Sequence, residues 1–320
     1  MELRDICNYK VLVLILFSIL VSIFPIKEYI VDPVILQDLD QNIFNVRNSY
    51  WYTVNIDELS FFDYFKREWL WAFLSVHLGE IFSSYEAYFL FLGFLNYLVA
   101  AFFIFKYSKL RYIFFLLTPI EFIFLIYQPR LAFACSIWLV GMVSRKTKYK
   151  YLFFFLTLLI HKAMFIIIGS YFVVKAVYNS NYSRKKKICF VFLYSFLVNL
   201  VTGPLVVLLY SVIADKEISY DSDDFSSSII SFIFWGGISL LLIIDLIKSS
   251  KEYFISFIAI FFSLFPVFSF VFNAGYPYRF LTVGFPFVIV AMSKTKSSIR
   301  YCLVLAIVFF SINTLVGFLK

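Results

Sequence analysis

The stretch "YQPRLAFACSIWLVGMVSRKTKYKYLFFFLTLLIHKAMFI", Tyr127–Ile166, sets an arginine directly after a proline. An apolar run follows to Val143, then a basic turn (Arg145, Lys146, Lys148, Lys150), then a second apolar run that ends at His161 and Lys162. A guanidinium inside an apolar helix costs several kcal/mol unless it snorkels to headgroups or finds a partner, so Arg130 is either hidden or used. From Arg130 to the basic turn is 15 residues (145 − 130). As helix that is roughly 22 Å, shorter than a hydrocarbon core of about 30 Å. Arg130 is therefore expected to sit below the bilayer surface, and His161, eleven residues from Lys150, at a comparable depth.

The composition around this stretch sets the class. Hydrophobic residues make up 62% and charged residues 15% of the 320 positions, and many apolar runs approach the length that crosses a bilayer. The chain reads as an all-α, polytopic membrane protein. Its net charge of +8 resides in short clusters between apolar runs: Lys106/Lys109/Arg111, Arg145 to Lys150, Arg184 to Lys187, Lys248/Lys251 and Lys294/Lys296/Arg300. That is the positive-inside pattern and not a nucleic-acid surface. Cys7, Cys135, Cys189 and Cys302 have no metal-ligand spacing and suggest no disulfide framework. Lys10 precedes an apolar run to Phe24 with no small-residue cleavage site after it, which reads as a retained first span.

Placing the basic clusters inside gives a topology of about ten to eleven membrane helices in a single transmembrane domain over 1–320. The expected segments are 10–26 outward, 86–105 inward, 111–127 outward and 131–144 inward, then two short helices over 151–178 with His161 and Lys162 at their tip. Segments 188–213, 228–247, 252–272, 278–293 and 300–319 alternate after that. Residues 27–85 form an outer loop whose segment "FFDYFKREWLWAFLSVHLGEIF" is interfacial or re-entrant, with His77 as an interfacial anchor. The acidic loop 214–227 lies outside. Its Asp221, Asp223 and Asp224 fit a solvated loop better than a cation site. No internal repeat is evident.

Arg279, in "NAGYPYRFL", lies on a helix that also follows a proline turn, and stands 15 residues from Lys294 (294 − 279). Arg130, His161 and Arg279 thus begin or tip truncated helices at similar depth, under an outer loop that carries Asp40 and Glu68. Short helices with buried ends admit water and irregular backbone where they line a cavity. The expectation is an outward-facing cationic cavity, against the simpler reading in which each arginine snorkels. A guanidinium binds phosphate oxygens bidentately, so the ligand such a cavity suits is a membrane-anchored phosphate or diphosphate. Glu121, in mid-span after Thr118 and Pro119, is either a functional intramembrane carboxylate or a neutral one hydrogen-bonded to a neighbouring helix.

The Tyr127–Ile166 stretch resembles the core signature of the EpsG and Wzy polysaccharide polymerases: arginine followed by Leu-Ala, a short helix, a basic turn, a second helix, then histidine and lysine. "LQDLDQNIF" is similar to the family's aspartate followed by an aromatic, here Asp40 and Phe44, and "KREWLWAFL" to its glutamate opening a helix, here Glu68. The ordered resemblance covers about residues 35 to 175, with Arg279 recognisable beyond it. It departs from the family at Pro129 and at Phe44, where tyrosine is common.

The resemblance implies a GT-C-like fold of short or broken helices. It also implies an enzyme that transfers a growing glycan from undecaprenyl diphosphate to a lipid-linked repeat unit on the outer face of the bacterial cytoplasmic membrane. O-antigen, capsule and exopolysaccharide are all open as products. Under it, Arg130, Arg279 and Lys162 hold the diphosphate. His161 is the general base, with Glu68 or Asp40 as second choice or as acceptor-sugar binder, and Glu121 gives intramembrane support. Neither a cofactor nor a metal is expected. Partners are the lipid-linked donor and acceptor, membrane lipids, and a chain-length regulator and flippase. Two alternatives stay open: a transporter or flippase for lipid-linked glycans, and a membrane acyltransferase acting on surface sugars.

Overall fold

The computed structural model describes residues 9–23, 68–82, 84–205, 228–273 and 277–318. Asp40, most of the 27–85 loop and the acidic 214–227 loop lie outside them. Among the described residues the regular structure is helical. Five helices are long and apolar enough to cross a membrane, or six if a bent pair counts as one span. The chain is a multi-pass membrane protein. Among the described residues shorter apolar helices accompany these spans, as expected of a fold with short or broken membrane helices.

The helices are α1 (Tyr9–Ile23), α2 (Trp69–Gly79), α3 (Tyr85–Tyr107), a 3₁₀ helix (Leu110–Leu117), α4 (Pro119–Tyr127), α5 (Pro129–Val143), α6 (Thr147–Ile160) and α7 (Met164–Asn179). They continue as α8 (Arg184–Leu200) with a π-helical extension (Val201–Leu205), α9 (Ile229–Lys248), α10 (Phe254–Ser263), α11 (Phe265–Phe272), α12 (Pro277–Lys294) and α13 (Ser297–Phe318). Two compact units result, one formed by residues 1–169 with 313–320 and one by 170–312.

Two prolines organise the first unit. The residue before proline avoids helical backbone, and Thr118 (ψ 139°) and Gln128 (ψ 62°) do so, which starts α4 and α5 at Pro119 and Pro129. The expected outward segment over 111–127 is therefore broken: the 3₁₀ helix and α4 meet at 78°. A proline also lacks the N–H that a preceding carbonyl needs. Pro129 orphans the Leu125 carbonyl four residues back, and the Asn96 amide donates to it at 3.1 Å. Pro119 leaves the Leu116 carbonyl without its 3₁₀ partner, and the Tyr97 hydroxyl donates to it at 3.3 Å. Ser136 closes the set by donating to Asn96 Oδ1 at 2.9 Å.

α3 thus sits at the centre of this unit, packed by α1, the 3₁₀ helix, α4 and α5. At its far end Lys106 and Tyr107 donate to the Val143 and Met142 carbonyls that end α5, groups the helix itself cannot satisfy. Asn96→Ala is expected to cost about 1–3 kcal/mol, because it strips a buried carbonyl and a buried hydroxyl of their partners at once. Thermal unfolding of the purified protein reads this, and an unchanged midpoint would show that the proline carbonyl tolerates being unpaired.

α5 and α6 pack along their length around the basic turn Ser144–Lys146, and α2 packs on α6. Helix is then interrupted at His161, whose backbone is extended (φ −148°, ψ 121°), and restarts at Met164. This is the helix break expected at His161. The N-terminus of α5 and the C-terminus of α6 consequently lie at the same end of the pair, away from the basic turn.

In the second unit α10 and α12 make the closest pair. Gly284 permits it: a Cβ built there would lie 2.2 Å from Cβ and Cγ of Phe262. Small residues at such crossings let membrane helices approach. Polar contacts tie the neighbours together, with Ser195 donating to the Phe261 carbonyl and Ser239 bonded to Ser263. Arg184, at the start of α8, donates to Glu252 and to the Leu246 carbonyl near the end of α9, while Lys187 takes the other Glu252 oxygen at 3.2 Å. Partial burial pushes the Glu252 carboxyl up, but the hydrogen bonds and charges of Arg184 and Lys187 outweigh it and hold the group below the ordinary glutamate value.

Candidate functional site

Three of the sequence-selected side chains come together in the first unit, around Glu68. This residue caps the start of α2 in left-handed backbone (φ 53°, ψ 46°), a conformation that costs a residue with a side chain about 1–2 kcal/mol. Its side chain is 5% exposed, and both carboxylate oxygens are engaged. Oε2 accepts from Nη1 of Arg130 at 2.6 Å. Oε1 accepts from the Lys162 backbone N–H at 3.0 Å and lies 3.3 Å from Nδ1 of His161.

Local sequence explains why these groups converge. Pro129 starts α5, so Arg130 occupies its first turn. The break at 161–163 ends α6 and begins α7, which turns the Lys162 and Ala163 N–H groups toward the same place. A helix N-terminus offers unpaired donors and favours negative charge. The Arg130–Glu68 pair is an alternative to the snorkelling expected of a lone arginine, since the guanidinium has a protein carboxylate within 2.6 Å. Its side chain remains 27% exposed, so donors other than Nη1 can face a ligand.

His161 is buried at 7% exposure. Its Nδ1 accepts the Ala163 backbone N–H at 3.1 Å, an arrangement that puts the imidazole hydrogen on Nε2. The same Nδ1 faces Glu68 Oε1. One ring nitrogen cannot accept from the amide and donate to the carboxylate together, so each contact belongs to a different tautomer of the imidazole.

The other selected residues divide. Lys162 contributes its backbone N–H to Glu68, while its side chain is exposed. Arg279 stands exposed in the first turn of α12, in the second unit, where its carbonyl accepts from Thr282. His77 is exposed near the end of α2, its ring edge-on to Phe73 at 4.4 Å. No three His, Cys, Asp or Glu side chains converge on a metal position among the described residues.

Glu121 lies in the first turn of α4, fully buried, with neither oxygen hydrogen-bonded among the described residues. The hydrogen bond to a neighbouring helix that the sequence allows is not made there. Glu121→Met, which keeps the volume and removes the orphaned polar atoms, is expected to leave the unfolding midpoint unchanged or to raise it by the equivalent of about 1–3 kcal/mol. A lowered midpoint would show that the carboxyl makes a stabilising contact.

Ala163, Asn96 and Tyr97 were not selected from the sequence. Pro119 and Pro129 carried the signal for the last two, because each proline implies a carbonyl in search of a donor. Comparison of the chain with protein-family models, with curated proteins and with solved structures yields no match.

Proposed function

We propose that the chain is a membrane glycosyltransferase that joins undecaprenyl-diphosphate-linked oligosaccharide repeat units, with its site facing outward across the cytoplasmic membrane. The observation that carries the reading is the convergence of Arg130, His161 and the α7 N-terminus on the single carboxylate of Glu68, at the ends of helices too short to cross a bilayer. A partly exposed guanidinium beside backbone N–H groups at a helix start is a seat for a phosphoryl oxygen, and a histidine adjoining it is the base a hydroxyl acceptor requires. The basic turns at Arg145 and Arg184 to Lys187 support the orientation through the positive-inside rule.

The reaction follows from these parts. The acceptor sugar hydroxyl attacks the anomeric carbon of the donor, a new C–O bond forms, and its proton passes to Nε2 of His161. The bond from the anomeric carbon to the diphosphate oxygen breaks, and its electron pair leaves with the diphosphate. Arg130 stabilises the charge that gathers there. Both Glu68 oxygens are occupied by donors, which makes Glu68 the group that positions Arg130 and His161 in preference to the base. For Arg279 and Asp40 the diphosphate and acceptor-sugar roles rest on the sequence resemblance alone.

Deleting the gene tests the reading. A polymerase leaves surface glycan as single repeat units. Absence of all surface glycan would identify an exporter, and full-length chains lacking a substituent would identify an acyltransferase.

A further inference from the structure

Glu68 carries more donors than a structural anchor needs. One carboxylate takes the Arg130 guanidinium on Oε2 and the Lys162 N–H on Oε1, with His161 Nδ1 3.3 Å from Oε1. Two of these donors, a guanidinium and a helix N-terminal amide, are groups that would donate to a phosphate oxygen in its place. The carboxylate is also carried on left-handed backbone immediately before α2. Its contacts hold it there against a local cost, so weakening them favours departure.

His161 is poised between two arrangements. With Nδ1 accepting the Ala163 N–H at 3.1 Å, the hydrogen sits on Nε2 and that nitrogen cannot take a proton from an acceptor. With Nδ1–H donating to Glu68, Nε2 presents its lone pair. What sets the balance is which hydrogens Glu68 already accepts: Oε2 takes the Arg130 guanidinium and Oε1 the Lys162 N–H, the oxygen that Nδ1–H would otherwise use.

We infer that Glu68 is an internal anion holding the diphosphate seat in the ligand-free protein, and that donor binding displaces it from Arg130 and so switches His161 into its proton-accepting tautomer. The inference rests on the diphosphate reading of the site. Phosphate oxygens take over the Arg130 and Lys162 donors. Glu68, relieved of its cation, accepts Nδ1–H from His161, and one imidazole hydrogen has moved from Nε2 to Nδ1 by exchange with solvent. The base is then competent only when the donor is in place. Among the described residues, Glu68 and Arg130 are charged groups of this cluster facing His161, with the exposed Lys162 adjacent in the chain.

The chain has two histidines, so ¹⁵N-histidine NMR of the protein in lipid nanodiscs resolves His161, with His77→Gln identifying the other ring. The probe is inorganic pyrophosphate. In wild-type protein, saturation is expected to move the His161 hydrogen from Nε2 to Nδ1. Glu68→Gln, which removes the competing charge, is expected to bind pyrophosphate about tenfold tighter and to show no tautomer change. An unchanged His161 tautomer at saturation overturns the inference, as does failure of the wild type to bind pyrophosphate. Equal or weaker affinity in a folded Glu68→Gln protein does the same. The wild-type spectrum keeps the test decisive if that variant does not fold. Assay of the same wild-type preparation on lipid-linked repeat units separates the two readings. A tautomer switch without polymerisation retains the inference and rejects the polymerase, whereas polymerisation without a switch does the reverse.

Discussion

Cells carrying Arg130→Lys are expected to display surface glycan reduced to single repeat units, with the protein at wild-type abundance. Under the proposed function Arg130 both pairs with Glu68 and holds the donor diphosphate. Lysine keeps a positive charge within reach of Glu68, so the buried carboxylate, 5% exposed, is not left alone and the fold survives. It cannot reproduce the planar fork that grips two phosphate oxygens while still facing Glu68. Arg130→Ala should behave differently: stranding a buried carboxylate costs about 3–5 kcal/mol, so abundance falls together with polymer. If the ion pair with Glu68 were the whole role of Arg130, the lysine variant would make polymer of normal length. Immunoblotting beside glycan electrophoresis distinguishes these outcomes.

The second large effect is one of packing within the second unit. Gly284→Ala is expected to destabilise the second unit by about 3 kcal/mol, the upper end of the usual overpacking range. The added Cβ would fall 2.2 Å from Cβ and Cγ of Phe262. Those atoms are next to the backbone, so no rotation of a flexible side-chain tip relieves the clash, and α10 and α12 must separate. Gly237→Ala in α9 is the matched control, since nothing lies within 4 Å of a Cβ there, and it should be silent or slightly stabilising through helix propensity. Thermal unfolding in detergent tests both. Equal midpoints for the two variants would mean that the α10–α12 crossing adjusts without cost.

The sequence carries some of this organisation and conceals the rest for identifiable reasons. Helical class, membrane character and the break at His161 follow from apolar run lengths set against the spacing of basic clusters. The bend at Thr118 is written in Pro119, yet a run such as 111–127 is long and apolar enough to pass for one straight span. Hydropathy does not register a proline as a corner. Arg130, Glu68 and His161 are each visible as charged or polar groups bordering apolar runs. Their meeting is not visible, because 62 residues separate Glu68 from Arg130 and periodicity says nothing about which short helices share an end. Gly284 is one of ten glycines, and only the position of Phe262 on the neighbouring helix distinguishes it from Gly237.

The most direct test of the central claim is to purify the protein into lipid vesicles, supply undecaprenyl-diphosphate-linked repeat units as the sole substrate, and measure chain length with time. The wild type is expected to extend the glycan and release undecaprenyl diphosphate in step, one for each bond formed, while His161→Ala and Arg130→Lys proteins of the same fold do neither. Extension that proceeds at the wild-type rate in both variants, or a wild type that leaves every repeat unit single, would contradict the account.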